Sequence, residues 1–255
     1  VSFLPSLVAA IRSGAAYLTV SLYTILVGPP AMLIAAAFET PMLLYVLGLF
    51  GVRLGLRLSG IRTSAVGTEH IVPGRGAVYC INHTSNLEPP VLFLYLRSLF
   101  PKLSVLYKAE LHKLPILARG FDIVGFVPLE RGNREQSMPA IERAAGMLQA
   151  GTSFMIFPEG TRSRTGELLP FKKGGFIMAI TAQAPVVPVA IRGARDAMRK
   201  GSPIIRPVTI SLRFGPPVET RGRTLADRDA LVAEVRSRIQ SMLNQGPADT
   251  REAVC

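Results

Sequence analysis

Ala77-Val78-Tyr79-Cys80-Ile81-Asn82-His83-Thr84-Ser85-Asn86-Leu87-Glu88-Pro89-Pro90 reads as an apolar strand, a polar loop and the start of a helix. The run at 77–81 is apolar throughout rather than alternating, as in a strand covered on both faces. A residue before proline avoids helical backbone angles, and prolines suit a first helical turn, so Glu88 falls near the N-cap of the next helix. His83 then lies on the loop at the strand's carboxyl end, where open α/β sheets bind ligands.

The same alternation continues on both sides. Apolar runs at 104–107, 154–157, 186–191 and 208–214 read as further strands. Residues 89–98, 134–150, 174–183 and 225–243 read as helices, the last with Leu231, Val235, Ile239 and Met242 on one face. Strands alternating with helices predict an α/β fold, a mixed sheet covered by helices, over residues 61–245. Residues 246–255 read as a frayed tail.

Residues 1–60 differ in kind. Positions 13–38 carry no charge, and the only charged residues of the segment are Arg12, Arg53 and Arg57 against Glu39. As one helix that uncharged run reaches roughly 39 Å, more than a bilayer's hydrocarbon core. Gly28-Pro29-Pro30 predicts a kink or break in its middle, Glu39-Thr40-Pro41 a turn, and 41–52 a second apolar stretch. A cleaved leader is disfavoured, because the second stretch follows directly and no small-residue cleavage site is clear. A single span followed by a buried helix stays open. The favoured reading is a membrane-associated two-helix hairpin with both ends on the cytoplasmic side, since Arg12 precedes it and Arg53, Arg57 and Arg62 follow. The chain opens on Val1, which suggests a trimmed native start.

Composition narrows the classes further. The 255 residues are 49% apolar and 18% charged, with a net charge of +12. That excludes a disordered chain, which needs low hydrophobicity. Cys80 and Cys255 alone cannot form a disulfide framework. A basic and apolar chain points to anionic partners at a membrane surface. Nucleic acid is disfavoured, because the basic residues are scattered and no recognition motif appears. No cluster of His, Cys, Asp and Glu has metal-ligand spacing.

Chemistry concentrates in four places. On one continuous helix His83 and Glu88 would point about 140° apart; across a loop the carboxylate can turn back to the imidazole, fix its tautomer and leave the other nitrogen as a base. A histidine that merely caps a turn is the bland alternative. The second place is Phe157-Pro158-Glu159-Gly160-Thr161-Arg162-Ser163, again after an apolar strand, followed by Lys172 and Lys173. Gly160 permits unusual backbone angles, Arg162 offers a fork of donors to a phosphate, and Glu159 can hold a substrate hydroxyl or anchor the arginine. A surface turn with an ion pair is equally open for these residues. The third is Gly125-Phe126-Val127-Pro128-Leu129-Glu130-Arg131, a strand delivering Arg131 to a loop. The fourth, Val187-Pro188-Val189, reads as packing.

Taken in order, these four motifs resemble the glycerolipid acyltransferases, and the likeness is greatest to the bacterial 1-acylglycerol-3-phosphate acyltransferases. The resemblance spans residues 82–190 and is most specific in Phe157-Pro158-Glu159-Gly160-Thr161-Arg162-Ser163. It implies that His83 takes the proton of the acceptor hydroxyl and that Glu88 orients it. It implies further that Arg131 and Lys108 meet the acceptor phosphate, with Glu159, Gly160, Thr161 and Arg162 shaping the pocket. The family usually has Asp where this chain has Glu88. The implied reaction is transfer of an acyl chain from acyl-CoA or acyl carrier protein to lysophosphatidate, giving phosphatidic acid, with no other cofactor and no metal. The implied setting is the cytoplasmic face of a membrane, for a bacterial enzyme the inner one. Acylation of glycerol 3-phosphate or another lyso-lipid is the nearest alternative. A covalent acyl-enzyme on Ser85 is a lesser rival, and a basic membrane-surface adaptor is the alternative outside the enzymes.

Overall fold

The computed structural model describes residues 3–130 and 134–247. It opens with two long helices, α1 (Phe3–Ala37) and α2 (Pro41–Ser59). A seven-stranded sheet follows: β1 (Arg62–Val66), β2 (Val78–Ile81), β3 (Leu103–Lys108), β4 (Val127–Leu129), β5 (Ser153–Ile156), β6 (Val186–Arg192) and β7 (Thr209–Phe214). Between and after the strands lie α3 (Glu88–Tyr95), α4 (Pro115–Ile123), α5 (Arg134–Gln149), α6 (Gly174–Ala182), the short α7 (Ala194–Ala197) and α8 (Arg228–Asn244).

The strand order is β1-β7-β6-β2-β5-β3-β4. Neighbours run parallel except β6 and β7, which are antiparallel, so the sheet is mixed as the sequence predicts. β2, with all four residues buried, is the middle strand, between β5 and β6. Its side chains divide the core by parity. Tyr79 and Ile81 pack with α3 and the near end of α2, whereas Val78 and Cys80 pack with α5, α6 and α8. Leu231, Val235, Ile239 and Met242 form the buried face of α8.

Both N-terminal helices are long and apolar enough to cross a membrane, by length and composition. They run antiparallel and close. A Cβ on Gly51 would meet the Tyr23 ring at 3.0 Å, and one on Gly55 would meet Val20 at 3.1 Å. Ile25, Leu26, Leu33, Phe38 and Phe50 point outward, and Phe38 is 76% exposed. The hairpin is bonded to the sheet unit: the Ser13 hydroxyl accepts the Ile205 amide at 2.7 Å, and the Tyr17 hydroxyl donates to the Pro203 carbonyl at 2.8 Å.

The structure corrects two details. α1 runs unbroken through Gly28-Pro29-Pro30, with both prolines inside it. Each proline withholds one ladder amide, but the turns on either side are packed against α2 and α4, and a full break among apolar neighbours would leave more main-chain groups unpaired. α2 also continues past position 52 to Ser59, carrying Arg53 and Arg57, and ends where Gly60 takes φ 71°.

Candidate active site

His83 owes its position to the residue before it. The Asn82 side chain donates to the Ile191 carbonyl at 3.0 Å and accepts the Ile191 amide at 2.8 Å. That bracket ties β2 to β6 just beyond their ladder, which ends at Ile81 opposite Val189. The main chain then turns away from the sheet, bringing His83 to its carboxyl edge.

His83 Nδ1 lies 2.6 Å from Glu88 Oε2. Glu88 is fully buried and begins α3, where the helix dipole favours negative charge. Its Oε1 accepts the Thr84 amide at 2.8 Å, the Thr84 hydroxyl at 2.6 Å and the Ser85 amide at 3.0 Å. Two amides and a hydroxyl make this carboxylate an acceptor, which assigns the ring proton to Nδ1 and leaves Nε2 with a lone pair. The imidazole stacks on Phe157, ring centroids 4.2 Å apart and planes tilted by 27°. Ser85 is buried and its hydroxyl donates to the Met198 carbonyl at 2.8 Å, so it is turned away from a nucleophile's task.

The loop after β5 grips the main chain of His83 from both sides. Glu159 Oε1 accepts the His83 amide at 2.7 Å, and the Ser163 amide donates to the His83 carbonyl at 2.7 Å. Glu159 Oε2 accepts the Leu169 amide at 3.0 Å. Both oxygens are therefore engaged with main-chain amides, and Glu159 holds the loop rather than anchoring Arg162. Burial pushes its carboxyl above the ordinary range, partly offset by the Leu169 and His83 amides. Burial likewise drives the Cys80 thiol well up, with the charge of Glu159 adding to it.

Gly160 takes φ 68°, and a Cβ there would sit 2.8 Å from Lys172 Cε. His83, Gly160 and Lys172 share a cavity of about 140 Å³ whose other walls include Leu106, Leu129 and Ile156. A polar end joined to an apolar recess suits a reacting group attached to a hydrocarbon chain. Of the remaining expected residues, Thr161 and Arg162 lie on the same loop. Lys108 stands exposed at the end of β3, paired with Glu110 at 2.8 Å, and is not among the residues that line the cavity. Arg131 lies outside the described residues.

Sequence reasoning missed Lys200. Its Nζ donates to the Thr161 hydroxyl at 3.2 Å and the Arg162 carbonyl at 3.1 Å, bracing the loop from 38 positions away. Asn82 was legible only as a polar residue following a buried strand. A second cavity, about 620 Å³, opens at the same carboxyl edge beside Asn82 and Thr84. Arg192, Arg195 and Arg236 line it, each held by a main-chain carbonyl: Leu243 for Arg192, Arg164 for Arg195 at 2.9 Å and Leu168 for Arg236 at 3.1 Å. Exposed Glu167 and Asp196 are also on its walls, but none of the three guanidiniums forms an ion pair among the described residues.

A family model described as Acyltransferase matches residues 62–192, just over half of the chain and all of the loops above. The chain belongs to the acyltransferase family. Among curated acyltransferases, it is 33% identical to the 1-acyl-sn-glycerol-3-phosphate acyltransferase of Limnanthes douglasii over 175 residues, covering 68% of this chain and 60% of that one. It is 30% identical to the human 1-acyl-sn-glycerol-3-phosphate acyltransferase alpha over 196 residues, covering 76% and 68%. The match thus spans about 60% of the length of the plant relative. The crystal structure of the 1-acyl-sn-glycerophosphate (LPA) acyltransferase PlsC from Thermotoga maritima superposes with a TM-score of 0.78 at 20% identity, covering 94% of this acyltransferase and 97% of that chain. That likeness extends the shared fold across the N-terminal helices.

Proposed function

We propose that this acyltransferase moves an acyl chain from a thioester to the free hydroxyl of 1-acyl-glycerol 3-phosphate, giving phosphatidic acid. The observation that carries the reading is the His83–Glu88 pair, 2.6 Å apart, at the mouth of a cavity that is polar at one end and apolar at the other. Nε2 of His83 takes the proton of the acceptor hydroxyl as its oxygen attacks the thioester carbonyl. The tetrahedral intermediate then collapses, breaking the carbon–sulfur bond, and the departing thiolate receives the proton from the imidazolium. Glu88 holds the ring and balances its transient charge. A positioned base contributes about 10²- to 10⁴-fold, and holding both substrates in register supplies much of the rest.

Gly160, Thr161 and Arg162, with Arg131 and Lys108, are the residues assigned to the acceptor phosphate, and Glu159 fixes their loop. The donor is acyl-CoA or acyl carrier protein, and the arginine-lined cavity of about 620 Å³ supports an anionic head on it. The reaction belongs at the cytoplasmic face of a membrane, with the N-terminal helices as the anchor.

The test is acyl transfer by purified protein in detergent, with labelled acyl-CoA offered to lysophosphatidate, glycerol 3-phosphate and a neutral lyso-lipid. Transfer to lysophosphatidate that disappears in His83→Ala supports both acceptor and base. Preference for another acceptor keeps the chemistry and moves the substrate; transfer retained by His83→Ala removes His83 as the base. Carrier-protein thioesters are the second arm, and failure with both donors favours a non-catalytic adaptor.

A further inference from the structure

Outside the hairpin, the described residues include five exposed large apolar side chains, and four of them fall in one stretch: Leu111, Leu114, Ile116 and Leu117. The stretch comprises a 3₁₀ turn, Ala109–Lys113, and the start of α4. Within α4 only Ala118 is buried. Ile116 is 70% exposed, as outward-facing as Ile25 of α1 at 67%. Isolated exposed leucines need no explanation, but a cluster on one short segment does.

Its place in the fold supplies one. α4 packs directly on α1, and a Cβ on Gly120 would sit 3.3 Å from Met32 Sδ. Together they wall a groove of about 560 Å³, with Ile25, Pro29 and Met32 on the hairpin side and Leu114, Ile116 and Leu117 on the other. The apolar surface of the hairpin thus continues across this groove onto the acyltransferase unit. Lys113 and Arg119 are exposed in and beside the apolar cluster. Apolar side chains interleaved with cations are what an element lying in an anionic headgroup layer presents.

We propose that residues 111–117 form a second membrane-docking element, which seats the catalytic unit on an anionic bilayer beside the hairpin, with lipid chains filling the groove. A protein partner or a second copy would leave unexplained why the cluster adjoins the most lipid-like surface of the molecule. The inference rests on the hairpin's being a membrane anchor.

The chain contains no tryptophan, so a single introduced one reports its own surroundings. Ile116→Trp, Leu33→Trp and Ala233→Trp are compared on vesicles of phosphatidylglycerol and phosphatidylcholine with brominated acyl chains. Leu33 is 74% exposed on α1, and Ala233 is exposed on α8, across the sheet from the hairpin. Bromine quenching of about twofold or more at 116 and 33, with none at 233, is the expected result. Quenching at 33 but not at 116 overturns the docking element while sparing the anchor, and covers the cases of a protein partner or a second copy. Absence at both sites overturns the anchor and the inference together. In a second measurement, Leu114→Gln with Ile116→Gln, hairpin intact, weakens partition onto the same vesicles about tenfold or more; unchanged partition overturns the proposal.

Discussion

The Glu88 carboxylate reaches His83 Nδ1 at 2.6 Å from a position with no solvent access. Its other oxygen is committed to Thr84 and Ser85, so the arm that orients the imidazole is itself immobile.

Two replacements separate charge from reach. Glu88→Gln puts an amide nitrogen where only acceptors fit, and lowers turnover about 10²- to 10⁴-fold, with a stability loss of about 1–3 kcal/mol for the unpaired donors. Glu88→Asp keeps the charge but draws it back from Nδ1, a displacement of about 1 Å that costs about 10²-fold in turnover. Steady-state kinetics beside thermal melts read both. Full activity in Glu88→Gln would remove the pair from the mechanism.

Lys200 is a positioning residue for the loop that carries Thr161 and Arg162. Lys200→Ala raises the KM for a phosphorylated acceptor about tenfold, the weight of a charge-assisted hydrogen bond, and leaves kcat within about twofold. An unchanged KM would show that the loop keeps its shape unaided. Lys200→Arg, which retains donors at that point, restores part of the affinity.

Gly175 and Ile156 meet closely in the cavity wall. A Cβ on Gly175 would come within 2.3 Å of Ile156 Cδ1, and both residues line the cavity that holds His83. The end of a flexible side chain must yield, so Gly175→Ala pushes Ile156 into the recess. Transfer of long chains then falls more than transfer of short ones, and Ile156→Val in the same chain reverses the bias. Equal losses across chain lengths would exclude this recess as the place of the transferred chain.

Glu159 gives the fold a pH signature. Its carboxyl is raised by burial, so the folded protein holds that proton more tightly than the unfolded chain does. The stabilising contribution is complete below the unfolded value and is lost as pH rises through the raised one. Glutamine mimics the protonated acid, so the melting temperature of wild type falls relative to Glu159→Gln as pH rises from about 4 towards neutrality. A gap constant with pH would contradict that account.

The sheet was legible because its strands are short apolar runs between turn residues, and the His83 loop because Pro89 and Pro90 announce a helix start. β1 escaped: Arg62-Thr63-Ser64-Ala65-Val66 pairs only with β7 and needs little apolar surface to form. α4 escaped because it is short and two of its large apolar residues, Ile116 and Leu117, face outward, leaving little more than Ala118 and Phe121 to mark an inward face. The turn of Glu159 towards main-chain amides was hidden for another reason. A carboxylate beside an arginine in sequence suggests an ion pair, and only the fold brings the amides of His83 and Leu169 within its reach. Lys200 is one of 29 basic residues, and nothing local distinguishes it.

The bonds from Ser13 to Ile205 and from Tyr17 to Pro203 join the hairpin to the segment just before β7. Hairpin and sheet unit are therefore joined by direct bonds as well as by the chain between them. On the function proposed above, that scaffold sets the height of His83 over the lipid, which makes depth a selection criterion in its own right: hydroxyls at one level of the headgroup layer would meet the base, and chemically identical ones riding higher or lower would not.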